Sequence, residues 1–437
     1  MTPRFLVNRL VSHSFFASGD YFLYMRASIF LNIKELFGVT HPKSPLRGSQ
    51  LAVLPSIKNA YLIVEGNLIT DFGPMDELST KGALPSHQID VSGKMIFPCW
   101  CDSHTHLVFP HSRESEFIDK IKGMSYAEIA ARGGGILNSA QALQQLSEDQ
   151  LFADAYKRLG EIAQMGTGSV EIKSGYGLNL ESELKMLRVI RRLKNHSRLR
   201  IRSTFLGAHA FPLEYRENRE EYVRIVMDEM IPAIAAEKLA DFIDVFCEEQ
   251  FFTREQTEMI CRKGMQHGML PKIHANQLNL SGGVETGVSL GALTVDHLEM
   301  MDEQAIAVLA NSRTIGTLLP SAAFFLRMPF PPARDMIRSD CAIALASDFN
   351  PGSSPSGNMN LVVSMACIRM KMLPEEAFNA ATINGAFAMK IETESGSIAS
   401  GKRADLIITR PIPSLAYFPY SFGNPPIDRV MIAGEWV

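Results

Sequence analysis

The sequence lacks any apolar run of about 18 residues, the length that a membrane-spanning helix needs, so no membrane partner is expected. Cysteine is scarce: six thiols without the dense, even spacing of a disulfide framework predict a reduced, cytoplasmic protein. Cys99 and Cys101 are predicted to pack in the core. An excess of one charge is also missing, because 43 Lys and Arg stand against 47 Asp and Glu. This balance argues against a nucleic-acid partner and favours a small-molecule substrate.

The length and composition favour a large α/β domain with a smaller companion. A chain of 437 residues is longer than one hydrophobic core usually serves, and 46% hydrophobic with 21% charged residues is ordinary for a soluble globular protein. We expect residues 96–390 to form the large domain and residues 25–95 and 391–437 to form the small one. Residues 1–24 lack the apolar core of a targeting segment, and we interpret them as a disordered extension or as sequence upstream of a start at Met25.

Short β-like runs near both ends of the chain predict the small domain. AYLIVEG, LITDFG and KMIFP alternate with turn residues, as strands of small antiparallel sheets do. GSIASGKRADLIITR and DRVMIAGEWV repeat this pattern at the other end. Segments from both ends are therefore expected to pair into one small β-sandwich.

In the central region, strand-like runs alternate with helical stretches instead of with turns. Eight apolar, strand-like runs alternate with helical stretches such as ESELKMLRVIRRLK and TREQTEMICRKG, which is the pattern of repeated βα units around a parallel sheet. Eight such units predict a closed (β/α)8 barrel. The runs are MIFPCWCD, GSVEIKS, IRSTFLGA, FIDVFC, PKIHA, LTVDH, TIGTLLP and AIALASD.

Polar side chains follow most of these strands, at the end of the barrel where active sites are built. Because the carboxyl ends of parallel strands meet at one face of a barrel, we expect the side chains to converge there. They are His104, His106, Lys173, Tyr176, His209, Glu248, Glu249, His274, His297 and Asp348.

Four of these residues have the chemistry of a metal site. His104 and His106 are two apart in an extended segment, so both imidazoles point the same way and can reach one ion. His274 and Asp348 complete a set of three imidazoles and one carboxylate with a position left for water. An open set of this kind predicts a catalytic metal rather than a structural one.

Several segments together resemble the amidohydrolase superfamily over nearly all of residues 50–437. Besides the strand-end histidines, they are FPCWCDSHTH, ALASDFNPGSS, NAATINGA and GSIASGKRADLII. Within the superfamily, the imidazolonepropionase family is resembled most by HTHLVFPHSRE, EIKSGYGL, FLGAHAFP, DVFCEEQ, KIHANQL, VDHLE and DFNPGSSPS. The resemblance implies hydrolytic ring opening of 4-imidazolone-5-propanoate to N-formimidoyl-L-glutamate, in histidine degradation, by a metal-activated water.

The resemblance implies one zinc or iron ion per subunit, held by His104, His106, His274 and Asp348. Strand-end spacing selects the same four residues, and three imidazoles with a carboxylate suit either metal. Lys173 occupies a strand end where some superfamily members carry a carboxylated lysine between two metals. No such bridge is expected here, because the family that the chain most resembles uses one ion.

The resemblance also implies the substrate contacts. Arg113 matches a family arginine that binds the substrate carboxylate, for which a planar guanidinium is well suited. The other matched positions are Tyr176 and His209 for the substrate and Asn350, Gly352 and Ser353 for the product.

Three residues are implied in the chemistry. Asp348 is expected to carry a proton from water to the leaving nitrogen, and His297 to polarise the carbonyl or stabilise the oxyanion. Gln277 stands where many relatives have a glutamate. A glutamine can orient the substrate but cannot take a proton at neutral pH, so Gln277 is expected to orient the substrate.

Alternative functions remain open at this stage. Another cyclic amidohydrolase or a deaminase would share the metal ligands, although Arg113 and EIKSGYGL argue against a deaminase that releases ammonia. A non-catalytic metal-binding or scaffold protein is suggested by Gln277 and opposed by the intact ligand set. The resemblance further implies a homodimer.

Overall fold

The computed structural model describes residues 27–124 and 134–437, so the predicted extension over residues 1–24 lies outside the described residues. The described chain forms two sheets of eight strands each. The strands are β1 Ala27–Phe37, β2 Ser56–Glu65, β3 Leu68–Pro74, β4 His87–Asp90, β5 Met95–Pro98, β6 Trp100–Asp102, β7 Thr167–Lys173, β8 Arg200–Ala208, β9 Phe242–Cys247, β10 Leu270–Ala275, β11 Thr294–His297, β12 Ile315–Leu318, β13 Ile343–Leu345, β14 Leu406–Thr409, β15 Ile427–Ile432 and β16 Glu435–Trp436.

Strands β6 to β13 form the barrel. Each pairs in parallel with the next strand along the chain. The segments that follow β6 and β13 bring the two ends of this sheet together: the Asp348 N–H donates to His104 O at 3.0 Å and the His106 N–H donates to Phe349 O at 2.9 Å. The predicted α/β barrel is confirmed, and the remaining strands form a separate sheet.

Helices follow the barrel strands and pack around them. Several begin at the capping residues that the sequence supplies: Ser147 accepts from the Gln150 N–H, and Asn179 accepts from the Ser182 N–H. The α-helices are Glu114–Ile121, Ile136–Gln145, Glu148–Gln164, Leu180–His196, Arg219–Ile225, Ile231–Ala236, Arg254–Gln266, Gly283–Ser289, Glu303–Ala310, Pro320–Leu326, Ala333–Arg338, Met359–Met370, Pro374–Ala381, Ile383–Phe387 and Tyr417–Tyr420. A π-helical turn over Val226–Met230 joins two of them.

The second sheet is built from both ends of the described chain. Its order is β16, β15, β14, β5, β1, β2, β3, with β4 pairing in parallel with β1. Strand β5 therefore lies between the C-terminal strand β14 and the N-terminal strand β1. The two ends share one apolar core, which contains Phe30, Leu62 and Leu406.

The run MIFPCWCD, predicted as one strand, serves both sheets. Its first half is β5 in the small sheet and its second half is β6 in the barrel. The change occurs at Cys99, whose N–H donates to Asp405 O, whereas the next N–H, of Trp100, donates to Gly166 O at the base of the barrel. One extended segment thus ties the two sheets together.

The burial of two cysteines agrees with the sequence analysis. All six cysteines are free, and Cys99 and Cys101 are buried in apolar clusters, as predicted. Among the described residues, no helix combines the length and the apolar character needed to cross a bilayer.

Candidate metal centre and active site

A cavity of about 490 Å³ opens at the carboxyl ends of the barrel strands. His104 lies beneath it and is fully buried. The other predicted site residues line the cavity: His106, Arg113, Tyr176, His209, His274, Gln277, His297, Asp348, Asn350, Gly352 and Ser353.

The predicted metal ligands converge at the floor of the cavity. His106 Nε2 and His274 Nε2 are 3.4 Å apart. Asp348 Oδ1 lies 3.6 Å from both His104 Nε2 and His106 Nε2. One ligand atom each from His104, His106 and Asp348 lie within 4.8 Å of one another, and so do ligand atoms of His104, His274 and His297.

Two features of these side chains suit a bound cation. His104 Nε2 is buried and has no hydrogen-bond partner among the described residues, a costly arrangement unless a ligand is bound. Burial also holds the pKa values of His104 and His106 well below the usual range, with nearby positive charges adding to the effect. Both imidazoles are therefore neutral at pH 7 and have a lone pair to offer.

Carboxylates behind the imidazoles set their orientation. His104 Nδ1 lies 2.7 Å from Asp296 Oδ2, and His274 Nδ1 lies 2.9 Å from Asp244 Oδ2. A carboxylate at Nδ1 favours a proton there, so Nε2 is left to face the cavity. The sequence analysis missed both acids, although each is an acidic residue inside a buried strand.

Lys173 belongs to the supporting network and does not reach the cavity. Its Nζ donates to Glu171 Oε1 at 2.7 Å and to Asp244 Oδ2 at 2.8 Å, and it lies 3.6 Å from Asp296 Oδ2. Burial alone would lower the pKa of Lys173, but these carboxylates raise it above its usual range. The ammonium therefore neutralises the acids that hold the imidazoles. Lys272 also pairs with Glu171.

The backbone at three strand ends adopts an uncommon conformation. Asn276, His297 and Asp348 have positive φ angles of 52°, 85° and 54°. Non-glycine residues seldom occupy this left-handed region, and such residues concentrate at functional sites, where the surrounding structure compensates for their cost. The turns aim the side chains of His297 and Asp348 into the cavity.

The loop after Asp348 is organised by Asn350. Its Oδ1 accepts from the N–H groups of Gly352 and Ser353, both at 2.8 Å, and its Nδ2 donates to Ser353 Oγ at 2.7 Å. Ser353 Oγ in turn donates to Asp348 Oδ2 at 3.1 Å. The predicted product-binding loop is thus connected directly to a candidate metal ligand.

The Arg113 guanidinium packs against this loop at Gly352. Its Nε donates to Glu116 Oε2 at 2.9 Å, and both side chains are buried. Burial would raise the pKa of Glu116, but the hydrogen bonds and charge of Arg113 lower it overall. A β-carbon on Gly352 would come within 2.3 Å of Arg113 Nη1, so a glycine is needed for the guanidinium to lie where it does.

Tyr176 and His209 form an aromatic wall beside the imidazoles. The His106 and His209 rings stack with centroids 5.2 Å apart, and Tyr176 lies 5.6 Å from His209. The Glu183 carboxylate holds the loop that carries Tyr176, since it accepts N–H donations from Gly175, Gly177 and Leu178. Gly175 O lies 3.0 Å from His209 Nδ1, so one buried acid positions both aromatic residues.

Gln277 and His297 lie on the opposite side. Glu248 Oε1 accepts from the Gln277 N–H at 2.5 Å and fixes the backbone there. His297 Nδ1 lies 3.5 Å from Glu299 Oε1. Burial lowers the pKa of His297, but the negative charges nearby, above all that of Glu299, raise it overall. Glu249, which was expected to join the ring of polar residues, is exposed.

The sequence analysis also missed part of the cavity wall. Lys120 and Arg327 line the cavity, together with aromatic and aliphatic groups near its mouth such as Phe117 and Phe325. These residues lie on or next to the short helices Glu114–Ile121 and Pro320–Leu326, at positions at least seven residues beyond the end of the preceding barrel strand, so no strand-end position marked them.

Comparison with known proteins identifies a family and relatives that match most of the chain. Residues 95–437 match the Amidohydrolase family. An imidazolonepropionase from Flavobacterium johnsoniae is 51% identical over 405 residues, covering 92% of this chain and 98% of that protein. One from Clostridium tetani is 41% identical over 391 residues, covering 89% and 93%.

Solved structures agree on the fold. Escherichia coli guanine deaminase superposes with a TM-score of 0.70 at 14% identity, covering 94% of this chain and 98% of that one. A triazine hydrolase variant superposes with a TM-score of 0.70 at 12% identity, covering 94% of both. At these identities the likeness concerns the fold alone.

Proposed function

The chain belongs to the amidohydrolase family and, within it, to the imidazolonepropionases, and on that premise we propose that it opens the ring of 4-imidazolone-5-propanoate. It is a hydrolase that acts on a carbon–nitrogen bond of a cyclic amide. Water adds to the ring carbonyl, the C–N bond breaks, and N-formimidoyl-L-glutamate is the product. This places the enzyme in histidine degradation.

The observation that carries the proposal is the convergence of three imidazoles and one carboxylate under a cavity with an arginine in its wall. His104, His106, His274 and Asp348 would hold one zinc or iron ion per subunit. Three nitrogen donors and one oxygen donor suit both metals, and His104 Nε2 otherwise remains unsatisfied. When bound, such an ion polarises a carbonyl and lowers the pKa of water from 15.7 toward about 7.

Asp348 and His297 are the proposed acid–base and electrostatic groups. Burial raises the pKa of the Asp348 carboxyl, although the nearby imidazoles and the Ser353 hydroxyl oppose the shift. A carboxylate in this setting accepts a proton from water readily and can pass it to the leaving nitrogen. His297 lies at the same floor and would stabilise the oxygen that becomes negative.

The remaining residues hold the substrate in place. Arg113 would bind the propanoate arm, while Tyr176 and His209 would contact the ring, and Gln277 would orient it. Asn350, Gly352 and Ser353, in the loop against which Arg113 packs, would bind the product. Their contribution is positional: a correctly oriented ring reacts much faster than one free in solution.

The localisation, oligomeric state and partners that we propose rest on the same family membership. We propose a cytoplasmic homodimer with a small-molecule substrate and without a nucleic-acid or membrane partner. We also propose the domain limits given by the sequence, with residues 96–390 as the barrel domain and residues 25–95 with 391–437 as the β domain, after an N-terminal extension over 1–24.

The test is to supply the metal-loaded protein with freshly made 4-imidazolone-5-propanoate and to follow the loss of its absorbance. N-Formimidoyl-L-glutamate should accumulate without ammonia, whereas a deaminase would release ammonia. His106→Ala should lose both metal and turnover, while Arg113→Ala should keep its metal and bind substrate more weakly. Full activity in His106→Ala, or no turnover by the metal-loaded wild type, would refute the proposal.

A further inference from the structure

Two cationic side chains reach the same residue in the wall of the cavity. The Lys120 ammonium donates to Gly352 O at 2.7 Å. The Arg113 guanidinium packs against the α-carbon of the same glycine, as the 2.3 Å approach to an added β-carbon demonstrates. Both side chains line the cavity. Like charges this close repel each other, and an anion bound beside them relieves the repulsion.

Only one of these charges has a carboxylate partner within the described ranges 27–124 and 134–437. Glu116 pairs with Arg113 through one oxygen and accepts the Gly135 N–H at 2.9 Å through the other. No described acid lies within salt-bridge distance of Lys120. Arg113, Glu116 and Lys120 together carry a net charge of one positive unit on this wall.

The surroundings of Lys120 strengthen its attraction for an anion. A lysine ammonium has three N–H donors, and Gly352 O takes one of them. The Phe325 ring lies 5.6 Å from Nζ, and Phe117 and Ile121 add apolar surface to the same part of the cavity. Apolar surroundings lower the local dielectric constant, so an ion pair formed there is stronger than one in water.

We propose that Lys120 is a second cationic contact for the carboxylate arm of the substrate, beside Arg113, and that it makes the cavity select acids over their neutral counterparts. The inference rests on the proposed function, since it concerns the arm of that substrate. Lys120 belongs to the helix Glu114–Ile121, while its hydrogen-bond partner belongs to the loop after Asp348. The substrate arm would therefore be bound where these two segments meet.

The test compares a charged ligand with its neutral counterpart. 3-(Imidazol-4-yl)propanoate carries the same arm on a ring that cannot be opened, and its amide has the same shape without the charge. Titration calorimetry on the metal-loaded enzyme should show that Lys120→Met weakens binding of the acid by about tenfold and leaves binding of the amide unchanged. Lys122→Met, at the exposed C-terminal end of the same helix, should bind both ligands as the wild type does.

Other outcomes separate this inference from its rivals. A role limited to holding the Gly352 loop would weaken the acid and the amide equally in Lys120→Met, and that result, like equal binding in wild type and variant, would overturn the proposal. Lys120→Arg should restore most of the preference for the acid. If Lys120→Met does not fold, Lys120→Gln provides the same comparison. The wild type could fail to turn over the substrate and still bind the acid more tightly than the amide, with that preference lost in Lys120→Met. This result would refute the proposed reaction but support the contact between Lys120 and the carboxylate.

Discussion

His104 Nδ1 lies 2.7 Å from Asp296 Oδ2 beneath the cavity, and both side chains are fully buried. The carboxylate holds the proton on Nδ1 and so leaves Nε2 as the donor to a metal. Asp296→Asn keeps the shape but lets the amide present either a donor or an acceptor to the ring. We expect metal affinity to fall by about 10- to 100-fold, measured by competition with a chromophoric chelator.

Asp302→Asn is the matched control. Asp302 is exposed and accepts the Ala305 N–H at 2.8 Å at the start of its helix, a contact that an asparagine reproduces. The control should bind metal as tightly as the wild type. Equal metal affinity in Asp296→Asn and in this control would contradict the orienting role of Asp296.

Glu183 provides the second prediction. Its two oxygens accept three backbone N–H groups, so Glu183→Gln sets an amide N–H₂ against at least one N–H donor. A buried mismatch of this kind costs about 1–3 kcal/mol. The loop of Tyr176 should shift, and we expect kcat/KM to fall about tenfold while metal content stays the same.

The comparison for Glu183 is Glu181→Gln, an exposed position in the first turn of the same helix. It should leave kcat/KM within twofold of the wild type, because exposed substitutions rarely matter by more than about 0.5 kcal/mol. Loss of metal in Glu183→Gln, or kinetics like those of Glu181→Gln, would show that the loop does not depend on the acid.

Much of the fold could be predicted because the barrel strands are largely buried on both faces, read as mainly apolar runs, and alternate regularly with helices. Strand β1 was missed, although it is the centre of the small sheet. A bulge between Phe30 and Ile33, with Asn32 at a φ of 58°, breaks the alternation by which a strand is detected. Strand β4 has only four residues, HQID, and none of them is buried.

The candidate site also contains residues that the sequence could predict and residues that it could not. Residues at strand ends could be found because parallel topology brings those ends together. The structure groups His104 and His106 with Asp348, and His274 Nε2 lies 3.4 Å from His106 Nε2. Asp296, which supports His104 across 192 residues of sequence, could not be found in this way. Its role depends on which buried strand lies beside which side chain, and that is a property of barrel geometry rather than of local spacing.

Gly352→Ala tests the packing of Arg113. A β-carbon would meet the end of the guanidinium at 2.3 Å, and this flexible group can move away without unfolding the protein. We expect an unchanged melting temperature and metal content with a KM raised about tenfold, since a displaced arginine loses its fork geometry. An unchanged KM would show that Arg113 does not bind substrate from this position.

Gly160→Ala is the control for that glycine. Gly160 lies inside the helix Glu148–Gln164 with nothing within 4 Å of an added β-carbon. Alanine is the better helix former, so the free energy of unfolding should rise by about 1 kcal/mol with KM unchanged. The pair separates an effect on the guanidinium from the general effect of adding a methyl group.

Lys402 provides a prediction about pH, away from the metal centre. Its Nζ is buried and donates to Ser397 Oγ at 2.8 Å and to Ser395 O at 3.1 Å, and burial lowers its pKa to about 8. Between this value and the ordinary lysine pKa near 10.4, the unfolded chain binds more protons than the folded one, so this group makes stability rise with pH. We expect the free energy of unfolding of the wild type, relative to Lys402→Met, to increase by about 1–2 kcal/mol from pH 8 to pH 10 in urea titrations. If this difference is constant over the range, or decreases, then the pKa of Lys402 is not lowered in the folded protein.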